Sequence, residues 1–268
     1  MSVHTTREIL LTLSYLCDGD WKKMLDIIQH KKIVPSDEQV LEASSKLKAS
    51  FITIIDENYP KCLKECNCPP MVLYYYGNIN LLDNQYKITC VGTRNPTLYQ
   101  SEKCASLIFD AEKEFNNELC VISGMANGLD QVFMEECINA SAPIISVIGS
   151  GIDNPYPKNN NAIYEYCKSG KGLVLSEYPL DINAEKSNFV FRNRLLAALS
   201  NILFVGGGKK QSGTSTTVKY ALDLGKEVCA LPCNVTGDDL TNDIIKSGAT
   251  SILSSKDLID EIREICER

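Results

Sequence analysis

The sequence predicts an α/β protein: a Rossmann-like, doubly wound, mostly parallel sheet with helices on both faces, preceded by a small all-helical N-terminal module. Three observations predict it. From about residue 87 onward, short β-rich apolar runs alternate with segments of helical length. Those runs are apolar throughout, as strands covered on both faces are. They end in small, glycine-rich turns, the chemistry expected at the carboxyl edge of an open parallel sheet.

Taken in order, residues 1–55 read as the helical module and 56–268 as the sheet domain. Met1 to Leu16 lacks a small-residue cleavage site and reads as a first helix, not a signal peptide. Ile9, Leu10, Leu13 and Leu16 recur at helical spacing, as do Trp21, Met24, Leu25 and Ile28. Pro35-Ser36-Asp37 offers caps for a third helix. Strand-like runs follow at Phe51–Ile55 and Met71–Tyr76, separated by Tyr59-Pro60 and Pro69-Pro70. Further strands are expected at 87–91, 119–122, 144–148, 173–175, 202–205, 228–231 and 250–253. Helices are expected between them at 101–115, 129–140, 160–169, 214–224 and, as a short piece, 195–199, with an amphipathic helix at the end.

Composition excludes several classes. The 268 residues are 44% hydrophobic and 23% charged, ordinary for a globular protein and unlike a collagenous or disordered chain. No stretch approaches the roughly 20 apolar residues of a spanning helix, so no membrane role is expected. Twelve cysteines scattered through apolar runs read as buried thiols in a reducing cytoplasm. Cys62, Cys66 and Cys68 have no partner pair at zinc spacing, and neither a metal nor a cofactor is expected. The net charge is −7, yet residues 186–219 carry six basic side chains and no acid: Lys186, Arg192, Arg194, Lys209, Lys210 and Lys219. One region of an acidic protein is thus electropositive, and patches decide binding more than totals do.

Candidate site residues come from the loops after the strands, where open sheets bind ligands. They are Gly92-Thr93-Arg94, Ser123-Gly124 with Ala126-Asn127-Gly128, Gly149-Ser150-Gly151, and Ser212-Gly213-Thr214 at the start of a helix. Glycine permits close backbone approach, and free amides at a helix start favour anions. Arg94, Lys186, Arg192-Asn193-Arg194 would supply charge, since arginine forks pair with phosphate bidentately. Arg192 and Arg194 have a structural alternative, as ion pairs to Asp130 or Glu177. Asp130, Asp153 and Glu177 are the possible acids or bases, with helix capping the alternative for Asp130. Neither GxGxxG nor GxxxxGK[ST] occurs.

Several segments, in order, resemble the DNA-processing protein A family (DprA, also called Smf). They are Tyr59-Pro60 with Leu63, Pro69-Pro70 to Gly77, Val91-Gly92-Thr93-Arg94, and Ser123 through Asp130. They continue with Gly149 to Asp153 before Tyr156-Pro157, Leu175-Ser176-Glu177, Phe191 to Arg194 with Leu199-Ser200, Ser212-Gly213 with Thr217, Leu231-Pro232, and Ile244-Ile245 with Gly248-Ala249. The resemblance covers about 59–253. It implies a Rossmann-like core that binds single-stranded DNA and hands it to the RecA recombinase during natural transformation, and it implies a homodimer. It places Arg94 in the DNA pocket with Lys186, Ser123 and Gly124, and points to the type without a C-terminal winged-helix domain. The sequence departs from the family pattern at Met134 (usually His), Gly207 (usually Glu), Gln100 and Cys233 (each usually Gly), and in a short loop, Asn234 to Leu240.

Two other readings compete with a non-enzymatic single-strand binder. Gly206-Gly207-Gly208 with Ser212-Gly213-Thr214 is similar to the loop of the lysine-decarboxylase-like (LOG) nucleotide phosphoribohydrolases, but the carboxylate after Gly-Thr is missing, with Thr216, Thr217 and Val218 in its place. Leu258, Ile259, Ile262 and Ile265 form one face of the last helix and would suit either a partner protein or the chain's own core.

Overall fold

A computed structural model describes residues 4–235 and 239–267; part of the 234–240 loop and the first three residues lie outside them. The N-terminal region forms α1 (Thr6–Leu16), α2 (Trp21–His30) and α3 (Asp37–Lys46). Each has a side-chain cap: Thr5, Asp20 and Ser36 accept backbone N–H groups that the first helical turn leaves unpaired. Next come β1 (Ser50–Thr53), the short α4 (Lys61–Lys64) and β2 (Val72–Gly77). The alternating part holds β3 (Lys87–Val91), α5 (Leu98–Glu114), β4 (Cys120–Ser123), α6 (Leu129–Asn139), β5 (Ile144–Val147), α7 (Asn161–Tyr166) and β6 (Leu173–Ser176). It continues with α8 (Lys186–Ala198), β7 (Ile202–Val205), α9 (Gly213–Asp223), β8 (Glu227–Ala230), α10 (Leu240–Lys246), β9 (Thr250–Ser251) and α11 (Ser255–Cys266).

The nine strands form one sheet in the order β1-β2-β6-β5-β4-β3-β7-β8-β9. Pairing is parallel from β6 to β9, while β2 joins β6 and β1 joins β2 antiparallel. The predicted fold class is the observed one, and each expected strand is present within a few residues. Side chains alternate between two cores, as the period of a strand requires. In β7, Ile202 and Phe204 face the core under α1, α5, α6 and α11, while Leu203 and Val205 face the core under α8, α9 and α10. Leu10, Leu11 and Leu13 of α1 lie in the first of these cores with Tyr74 of β2, so the N-terminal helices pack on the sheet.

Three elements differ from expectation: α4 and α10 are short helices where none was expected, and α8 is longer than expected. The helix predicted over 195–199 begins nine residues earlier, at Lys186. Its polar run Arg192-Asn193-Arg194 is buried, so it shows no apolar stripe by which periodicity could find it. This helix makes the crossover from β6 back to β7. The winding therefore reverses between β3 and β7, and the crevice at their carboxyl ends is the switch point where such sheets hold ligands.

Candidate functional site

A cleft of about 650 Å³ opens at that switch point. Gly92, Thr93 and Arg94 after β3 form one wall, α8 another, and Ser212-Gly213-Thr214 at the start of α9 a third. Hydrogen bonds between the walls fix them. Thr214 Oγ1 donates to Gly92 O at 3.0 Å, and Asn193 Nδ2 donates to Gly213 O at 3.1 Å. Ser212 caps α9 by accepting from Ser215 N, which keeps the positive end of that helix at the cleft.

Arg94 and Lys186 are exposed, and neither makes an ion pair among the described residues. The Arg94 guanidinium lies 5.6 Å from the centroid of the Phe189 ring, and Tyr156 lies 5.8 Å beyond. With Gly124, Ala126 and Asn127 these groups border a small recess beside the cleft. A planar cation beside two rings offers a base or sugar an apolar platform next to a phosphate ligand.

Arg192 is buried at the cleft floor. Its Nη1 donates to Gly124 O at 3.0 Å and also to Val147 O, and its Nε donates to Asn193 Oδ1. Burial pushes its guanidinium down to about 10, which leaves it charged at neutral pH. Asp130 lies on the other side of Gly124, and its Oδ2 accepts from Gly124 N at 3.2 Å and Ala126 N at 3.4 Å. A methyl group on Gly124 would sit 2.7 Å from the guanidinium and 2.8 Å from the carboxylate, so only glycine fits between them. Burial raises the Asp130 carboxyl, against the pull of Arg192 and the backbone amides.

The structure brings most of the predicted residues together: Gly92, Thr93, Arg94, Ala126, Lys186, Arg192, Asn193, Ser212, Gly213 and Thr214 border the cleft, with Gly124 and Asn127 in the recess. The other predicted residues lie elsewhere: Gly149 packs against Phe189, Ser150 is fully buried and Gly151 packs against the Leu180 and Ile182 backbone. Arg194 takes the structural alternative: its Nη1 and Nη2 donate to Glu177 Oε2 and Oε1 at 2.7 and 2.5 Å, and its Nε donates to Cys68 O. At 2% exposure it has no surface to offer a ligand. Ser123 is fully buried and donates to Cys90 O. Gly128 lies beneath the Thr93–Arg94 backbone instead of facing the cleft. The acid-free stretch 186–219 is also less electropositive than its sequence suggests, because Lys210 pairs with Asp243 at 2.9 Å as Arg194 does with Glu177.

Two contributors were not foreseen. Tyr156 was legible only as part of a Tyr-Pro motif, and its place beside Phe189 depends on tertiary packing. Asn160 is buried, and its Nδ2 donates to Met125 O and Ala126 O, clamping the loop after β4 where Met125 takes φ +56°. Its spacing from that loop carries no signal in the sequence. The three possible acids or bases are engaged: Asp130 with backbone amides, Glu177 with Arg194, and Asp153 accepting from the Tyr76 hydroxyl at 2.7 Å.

Fold and cleft define an open α/β protein with a crevice at its switch point, bordered by exposed cations, glycine-rich loops and a helix start. The chain belongs to the DNA recombination-mediator protein A family, whose sequence model matches residues 50–263. It is 31% identical over 253 residues to protein Smf of Synechocystis, covering 92% of this chain and 63% of that relative. The chain thus spans less than two thirds of that relative's length. The X-ray structure of DNA processing protein A from Streptococcus pneumoniae superposes with a TM-score of 0.76 at 29% identity, covering 96% of this chain and 93% of that one. DNA processing protein A from Helicobacter pylori, described for its single-stranded DNA binding mode, superposes with a TM-score of 0.71 at 30% identity, covering 81% of this chain and 97% of that one. Among the described residues no helix is long and apolar enough to cross a membrane.

Proposed function

We propose that the cleft binds single-stranded DNA and that the chain, as a homodimer, delivers the strand to the RecA recombinase in DNA recombination. The observation that carries the reading is the meeting of two exposed cations, Arg94 and Lys186, with glycine-rich loops and a helix start at the switch point. The phosphates lie on Arg94, Lys186 and the loop amides, and bases lean on Phe189 and Tyr156. The role is binding and not catalysis, since the carboxylates near the cleft are held by Arg194, by backbone amides or by Tyr76. The single-stranded DNA binding described for the Helicobacter relative supports a single strand as the ligand.

The test is fluorescence anisotropy with labelled single-stranded and duplex DNA, comparing the native protein with Arg94→Ala. The single strand is expected to bind more tightly, and Arg94→Ala to weaken it while circular dichroism and melting stay unchanged. Equal affinity in a folded Arg94→Ala protein overturns the assignment. RecA delivery is read separately, as faster filament growth on a strand coated with single-strand-binding protein.

A further inference from the structure

We infer that a second groove, between the α1–α2 turn and the start of α8, takes up bases of the same strand as it leaves the cleft. This inference rests on the cleft being the strand's entry point. The groove measures about 730 Å³ and shares Lys186 and Val190 with the cleft, so the two run into one another over the first turns of α8. Its far wall, at Trp21, precedes residue 50, where the match to the family begins.

The wall is held in place. The turn at Gly19 packs on the backbone of Glu177 and Tyr178, and Glu177 is itself gripped by Arg194. The Trp21 indole N–H donates to Pro69 O at 2.8 Å, while Met24, one turn on, is anchored in the core. Across the groove stand Phe191, with the Arg194 guanidinium 3.6 Å from its centroid, and Tyr220. Aromatic walls anchored in this way suit flat bases, which stack without regard to sequence.

The charges sort the two halves of a nucleotide. Lys22, Lys23 and Lys186 are matched in number by Asp18, Asp20 and Glu185. Asp20 is partly spent, because its Oδ1 accepts from Lys22 N and Lys23 N to cap α2 and its Oδ2 lies 3.8 Å from Lys23 Nζ, an exposed pair that a phosphate can open. A groove of balanced charge does not hold phosphate inside it. Its carboxylates turn the phosphates outward to the exposed Lys22 and Lys23 and accept hydrogen bonds from base amino groups.

Trp21 is the chain's single tryptophan, so its emission reports on this groove alone. The full chain is titrated with a trinucleotide and with an oligonucleotide of about 12 nucleotides, a length within the range of single-strand grooves. Binding is followed in parallel by anisotropy. The longer strand is expected to quench Trp21 and the trinucleotide to leave it unchanged. Lys22→Glu with Lys23→Glu should weaken only the longer strand, and Trp21→Leu should weaken it about tenfold, the share of one stacked base. Arg94→Ala should weaken both. Saturation by the longer strand with Trp21 emission unchanged and both variants at native affinity overturns the groove while leaving the cleft intact. No binding of either strand to the native protein overturns the cleft, and the groove with it.

Discussion

Gly128 has φ +86°, a conformation that L side chains rarely adopt, and a methyl group there would come 2.7 Å from the Arg94 Cα. It thereby lets the loop after β4 lie under the loop after β3 and sets where Arg94 stands. Gly128→Ala is expected to destabilise the fold by about 1–3 kcal/mol, read from the urea midpoint, and to weaken DNA binding through displacement of Arg94. Glu177→Ala leaves the Arg194 guanidinium buried without its partner and should cost about 3–5 kcal/mol by the same measurement. Glu112 of α5 is fully buried, with one oxygen accepting from Cys137 Sγ at 3.3 Å and the other without a partner among the described residues. Burial pushes its carboxyl up to about 8. The unfolded chain releases this proton near pH 4.5 and the native chain only near 8, so the native state binds more protons in between and stability falls as pH rises across that window. Thermal melts from pH 5 to 8.5 should show this decline, and Glu112→Gln should flatten it.

Among elements, α8 carries the most. Arg192 binds the loop after β4, Asn193 the start of α9, and Arg194 both the residue after β6 and the loop at Cys68. Asn193→Ala frees the start of α9 from α8 and should cost about 1–3 kcal/mol, with a larger loss of DNA affinity than a surface alanine in the same helix gives. The strands were legible because continuous apolar runs such as Ile202–Val205 need no tertiary knowledge to recognise, and the loops were legible because glycine and hydroxyl residues crowd their ends. The first nine residues of α8 were not legible. A helix that buries arginine and asparagine toward loops and apolar side chains toward the sheet has no hydrophobic face to betray its period. For the same reason the sequence could not divide Arg192 from Arg194: the two are two positions apart, and only the fold puts Glu177 within reach of one and Gly124 within reach of the other. Arg94 could be read because it stands at the end of a strand, where position alone implies exposure.

At the scale of the whole molecule, an acidic chain presents a cationic cleft, so affinity and charge pull in opposite directions. The net charge of −7 disfavours broad contact with a polyanion, so on the proposed function only phosphates that reach the local basic groups would be neutralised. With two to four phosphates held, the logarithm of affinity should fall against the logarithm of salt with a slope of roughly −0.7 per phosphate. Anisotropy titrations over a series of salt concentrations measure it, and a slope near zero would exclude phosphate contacts. Within the same sheet, α8 ties three loops and the Cys68 segment to a single rod whose first residue, Lys186, borders the cleft. A load applied at Lys186 is therefore distributed along the axis of that rod and reaches every anchored loop together. Occupancy would then be registered as a collective stiffening: amide protons in the segments after β4 and β6 and at the head of α9 would slow their exchange with solvent in concert, including those that touch no ligand.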